Sequence, residues 1–161
     1  MYTDADLTNA RKQRAFRLRV AVIPAAVFVA AAVGLFIYGQ NIRSDSLWMI
    51  TVALTILGGC SFLFLYGLSV RPMRMYELHV EQMLHGRKRE TTGILKSFGD
   101  QVCEKNCVDC YPMMLNIGRK DDGKDDRLFY FDVHKERPNI PIGTVMTVES
   151  NDMMVAAYRV D

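Results

Sequence analysis

Leu18 to Tyr38 and Leu47 to Val70 are two apolar runs almost free of polar side chains, and they constrain this chain more than any other feature. A helix of roughly 20 residues, rising about 1.5 Å per residue, covers a hydrocarbon core of about 30 Å. Each run meets that length. Arg11, Lys12, Arg14, Arg17 and Arg19 lie at the outer side of the first, and Arg71, Arg74, Arg87, Lys88 and Arg89 beyond the second. Only Arg43 and Asp45 are charged in the short connection between them. Lys and Arg in short flanking segments favour the cytosolic side, so both termini are expected there, with the chain in the plasma (inner) membrane. The first run has a basic start but is far too long for the usual apolar part of a signal peptide, and a second run follows at once. A retained two-span hairpin is the reading.

The organisation expected is a basic N-terminus (1–17), spans at 18–38 and 47–70, an amphipathic linker helix (71–90) and a small cytosolic domain (91–161). Charge divides in the same way. Residues 1–90 carry 11 Lys and Arg against 6 Asp and Glu, a net of +5, whereas 91–161 carry 9 against 12, a net of −3. The basic part suits anionic headgroups of the lipid bilayer. The acidic part lacks the positive surface that nucleic acid requires.

Within the first span Ala26, Ala30 and Gly34 recur every four residues, and Thr55 and Gly59 do so in the second. Such faces allow close helix packing inside the hairpin, or between two copies in a homo-oligomer. Cys60, beside Gly58, Gly59 and Ser61, suits the same close approach. Pro72 marks a break after which a new helix can start. Met73, Tyr76, Val80, Met83 and Leu84 then follow helical spacing, a stripe expected to pack on the tail domain, and Gly86 is a C-terminal cap.

From Thr91 the pattern alternates. Strands are expected at Thr92–Phe98, Tyr111–Ile117, Leu128–Val133, Thr144–Glu149 and Met153–Val160, separated by turn-forming segments that include Asp122-Gly123, Pro138 with Pro141, and Ser150-Asn151-Asp152. Five short strands with mostly tight turns predict a small antiparallel barrel, because an open sheet would expose its edges.

Gly93-Ile94-Leu95 opening the first strand, Ile142 to Val148 opening the last hairpin, Asn151 at its turn and Val155 in its final strand resemble the NfeD-like membrane proteins. The resemblance covers about the last 70 residues together with the layout of spans before a barrel. It implies a five-stranded antiparallel OB-like tail acting as a non-catalytic partner of membrane-associated proteases or lipid-domain proteins. The cysteine-bearing segment and the Phe129-Tyr130-Phe131 strand depart from that family's pattern.

Cys103, Cys107 and Cys110 form C-x3-C-x2-C. Radical-SAM enzymes hold an iron–sulfur cluster with this spacing, but on a large α/β barrel that about 70 residues cannot build. A zinc site is the more reasonable chemistry, with His134 or Asp109 as fourth ligand, although neither stands at a diagnostic spacing. The competing reading is a polar loop with three reduced thiols, as expected in the cytosol. Asp121 to Asp126 lacks the carboxylate spacing of an EF-hand and reads as a solvated hairpin tip. His79 and His85, six residues apart, do not share a helix face and read as surface or interface residues. Catalytic motifs are lacking. The function expected is a membrane-anchored, non-enzymatic adaptor whose barrel binds a protein partner at the inner membrane face; the alternative is a metal-binding or thiol redox module built on the three cysteines.

Overall fold

A computed structural model of the chain describes residues 1–42, 45–118 and 123–160. The chain falls into two units, Ala10–Arg74 and a second formed by Met1–Asn9 with Met75–Asp161. Arg43, Asp121 and Asp122, which figure in the sequence reading, lie outside the described residues.

Helix α1 runs unbroken over Asp4–Ile42, so the basic N-terminal residues continue into the first apolar run. A reciprocal cap starts it. The Asp6 carboxylate accepts from the Thr3 N–H at 2.8 Å, and the Asp6 N–H donates to the Thr3 hydroxyl at 3.4 Å. Helix α2 covers Asp45–Leu65, followed by a π-helical turn over Tyr66–Val70 and then α3 over Arg71–His85. Pro72 explains that turn: it has no N–H for the Leu68 carbonyl and its ring crowds the preceding turn. The helix widens there instead of ending, and the Arg71 N–H reaches back to the Tyr66 carbonyl.

Helix α1 and the Ser46–His85 stretch are both long and apolar enough to cross a membrane, and only 11% and 6% of their most apolar windows are buried. A core helix of a soluble protein would bury most of that surface. The expected small-residue face is not where α1 and α2 meet. Gly34 and Gly59 have nothing within 4 Å of an added Cβ, and Ala26 and Ala30 are exposed. The close approach is at Gly58, where an added Cβ would stand 2.7 Å from the Phe28 Cβ, while Ala21 and Ala32 are buried.

The second unit is a six-stranded mixed sheet: β1 (Arg89–Phe98), β2 (Cys103–Lys105), β3 (Val108–Asn116), β4 (Asp126–Asp132), β5 (Val145–Asn151) and β6 (Met154–Val160), in the order β1-β5-β6-β4-β3-β2. Strand β1 also pairs with β3, with an irregularity between Leu95 and Ser97. Two features correct the expectation of five purely antiparallel strands. The segment before Tyr111 folds as a β2–β3 hairpin around Asn106 and Cys107, both left-handed (φ 56° and 61°). That turn contains no glycine, so it does not announce itself in sequence. Strands β4 and β6 also pair in parallel at Tyr130 and Met154. The proline-containing connection after β4 carries the chain to β5 beside β1, and β6 returns alongside β4 in β4's own direction.

Leu95, Met113, Leu115, Phe129, Phe131, Met146, Val148 and Val155 form the main core. These are alternate residues of their strands, as one face of a sheet requires. A second cluster of Met83, Val108, Cys110, Met154 and Ala156, flanked by Tyr2 and Tyr76, joins α3 and the N-terminal residues to the sheet.

Candidate functional site

The polar group most deeply enclosed in the sheet unit is Asp132, at the end of β4 and 0% exposed. Burying a carboxylate is costly unless donors surround it. Three do. The Tyr2 hydroxyl donates to its Oδ2 at 3.0 Å, the Tyr76 hydroxyl to the same oxygen at 3.2 Å, and the His134 N–H to Oδ1 at 2.8 Å. His79 Nε2 lies 3.0 Å from the Tyr2 oxygen. A phenol has one proton, which Tyr2 gives to the carboxylate, so His79 must present an Nε2–H to the phenol oxygen. The relay runs from His79 through Tyr2 to Asp132.

Electrostatics keep these groups in those states. Burial first, then the charge of Asp132, raises the pKa of the Tyr2 and Tyr76 phenols, so both remain donors. Burial holds His79 below its ordinary value, with the Asp132 charge pulling the other way. Lys135 closes the outer side. Its Nζ sits 4.9 Å from the Tyr2 ring centroid and 2.8 Å from Asp6 Oδ2, and the hydrogen bond to Lys135 is the largest cause of the lowered Asp6 pKa. The Tyr76 ring packs edge-on against His134, centroids 4.8 Å apart. All these groups face one another, so the arrangement fastens Met1–Asn9 and α3 to the sheet. It is a latch.

The three cysteines of the sheet unit sit on one hairpin in three environments. Cys103 and Cys110 are opposite each other in the β2–β3 register, and the Cys103 thiol donates to the Cys110 carbonyl at 3.3 Å. Cys107 is exposed on the turn. Cys110 is 0% exposed; its thiol reaches the Val108 carbonyl at 3.3 Å, and burial followed by the Asp132 charge pushes its pKa up to about 12. A thiol so protonated is a poor nucleophile at neutral pH. Asp109 alternates to the other side of β3 from Cys110, and His134 packs in a T-shaped contact with Tyr76. Among the described residues no three His, Cys, Asp or Glu side chains gather closely enough to hold a metal ion. Asp126, at the end of the acidic segment, is engaged by Lys96 at 3.2 Å and by the Asn116 side-chain amide at 2.7 Å.

Sequence reasoning missed the latch. His79 is 5% exposed and not a surface residue, whereas His85 is exposed. The signal was present in α3: Tyr76, His79, Val80 and Met83 share one helical face, and a histidine on such a face needs a polar partner. The partner, Tyr2, lies far away in sequence and could not be located from it.

On the outer side of the sheet, Ile94 and Val145 stand opposite each other, 42% and 44% exposed. Ile142, 71% exposed, lies in the adjoining turn, where the Gly143 N–H donates to the Leu95 carbonyl at 2.8 Å. Compared with protein-family models, curated proteins and solved structures, the chain matches none.

Proposed function

We propose that the chain is a membrane-anchored, non-enzymatic adaptor whose sheet domain binds a protein partner at the inner face of the plasma membrane. The observation that carries the reading is the apolar patch of Ile94, Val145 and Ile142. Solvent-facing strand positions are ordinarily polar, and adjoining exposed aliphatic side chains mark interaction surfaces. The arginines on the outer flanks of both spans support cytosolic termini. An OB-like barrel, as in NfeD-like proteins, is the finer reading of the fold; its support is that β1 pairs on both sides, with β3 and with β5.

The test is site-specific photocrosslinking in membranes with the full chain. A probe at Ile142 should give a discrete protein adduct that Ile94→Asp abolishes, while a probe at exposed Glu136 gives none. Equal adducts from both positions, or an Ile142 adduct indifferent to Ile94→Asp, would overturn the proposal. The thiol alternative draws support from the facing positions of Cys103 and Cys110, and is weakened by the high pKa of Cys110.

A further inference from the structure

A groove of about 490 Å³ opens at one end of the sheet, with Arg87, Arg89 and Arg127 among its lining residues. Strand phase makes this unusual. On β1, residues 89, 91, 93 and 95 share a face, and Leu95 on that face is fully buried. On β4, residues 127, 129 and 131 share the face of buried Phe129 and Phe131, and Arg127 stands opposite fully buried Leu115. Arg127 therefore stands one same-face step beyond buried Phe129 and Arg89 three such steps beyond buried Leu95, both exposed at the end of the sheet on the side that carries its core. Arg89 is paired with buried Ser150, which also lines the groove.

Arg87 is brought in by the chain reversal after α3. Its carbonyl accepts from the Asn151 side-chain amide at 2.8 Å, which ties this segment to the β5–β6 turn. Ile117, Phe129 and Met153 give the groove apolar walls. Among the described residues, Asp152 is the one acidic residue that lines it, and that carboxylate is already engaged by Lys105 Nζ at 3.7 Å and the Asn106 amide at 3.3 Å. Among the described residues, no ion pair involves Arg87, Arg89 or Arg127. Three arginines border one cavity, and an anion entering it would offset their charge. Their planar forks match phosphate oxygens bidentately. The volume lies within the range of small-molecule sites, roughly 300–1,000 Å³.

We infer that this groove binds a phosphate group carried on an apolar organic moiety. The same chemistry is offered by an anionic lipid headgroup and by a soluble phosphate monoester. The proposal does not depend on the adaptor reading, since the Ile94–Val145–Ile142 patch contributes nothing to the groove.

The experiment uses the full chain in a phosphate-free maltoside detergent, with dioctanoyl phosphatidic acid and phenyl phosphate as probes and binding followed by calorimetry. The Arg89→Gln/Arg127→Gln double variant should weaken binding by about tenfold or more, as loss of charge-assisted bidentate contacts requires. Lys88→Gln removes a neighbouring charge outside the groove and should stay within about twofold of the parent, because exposed charges interact weakly. Arg127→Lys, which keeps the charge and loses the fork, should fall between them. Resistance of Cys110 to alkylation verifies that each variant is folded. Binding of phosphatidic acid alone assigns the site to a lipid headgroup, and comparable binding of phenyl phosphate assigns it to a soluble ester. Binding of neither probe, or equal losses in Lys88→Gln and the double variant, overturns the inference.

Discussion

The Tyr2 hydroxyl donates to the buried Asp132 carboxylate at 3.0 Å, although the two residues are 130 positions apart in the chain. That bond fixes the first residues of the protein to the far end of β4. Removing it leaves the carboxylate with two donors, those of Tyr76 and the His134 N–H. Tyr2→Phe should lower stability by about 1–3 kcal/mol, the usual cost of a lost bond to a buried charged acceptor. It should also make the segment before Asn9 the first site of limited proteolysis. Unchanged melting and an unchanged cleavage pattern would refute the latch.

Stability should depend on pH through His79. Its pKa is lowered in the fold, so the unfolded chain binds the proton more readily than the native chain does. Stability therefore rises with pH in that window, and it declines as pH falls below about 6.5. On the alkaline side the raised phenol pKa values of Tyr2 and Tyr76 act in the opposite sense, with stability declining above about pH 10. Melting temperature measured from pH 5 to pH 8 should fall on acidification in the parent and stay flatter in His79→Gln. Parallel curves would remove His79 as the titrating group.

The thiols should react in the order Cys107, Cys103, Cys110, following exposure from the turn to the core. Cys107→Ser should change stability by no more than about 0.5 kcal/mol, as exposed substitutions do. Cys110→Ser places a hydroxyl beside Met154 and should cost about 1–3 kcal/mol. A chelator should leave the melting temperature of the purified chain unchanged. A clear drop on chelation, reversed by zinc and absent when all three cysteines are serine, would favour the metal reading.

Within the hairpin, neighbouring glycines should behave oppositely. An added Cβ at Gly58 meets Phe28 at 2.7 Å, whereas at Gly59 it meets nothing within 4 Å. Gly58→Val should destabilise the detergent-solubilised chain by about 1–3 kcal/mol, the range for overpacking. Gly59→Val should be close to silent. Equal effects would place the helix contact elsewhere.

The apolar runs and most strands were legible because each rests on local pattern, run length or alternation along a strand, whereas the break expected at Pro72 is a π-helical turn inside a continuous helix. Hairpin β2–β3 was not, since its left-handed turn uses Asn106 and Cys107 in place of the Asn-Gly that would signal it. The parallel pairing of β4 with β6 was not, because the order of strands in a sheet is a tertiary choice. The cysteine spacing left a metal site and a thiol-bearing loop both open, and strand geometry spreads the thiols from the exposed turn to the core. Arg89 enters the sequence reading only as a basic residue flanking the second span, and Arg127 does not enter it. Their meaning appears only when strand phase sets them above Leu95 and Phe129.

Strand β1 lies between β3 and β5, and β5 is synthesised some fifty residues after it. On an emerging chain β1 gains one neighbour early and waits for the other with a row of open amides and carbonyls, a template for unwanted strand addition. Premature termination ahead of Val145 would make that vulnerability permanent and would also deprive β4 of β6. Arrival of the final hairpin covers that edge of β1, and a bulky fusion that hinders its insertion should reduce yield more than one placed before Met1.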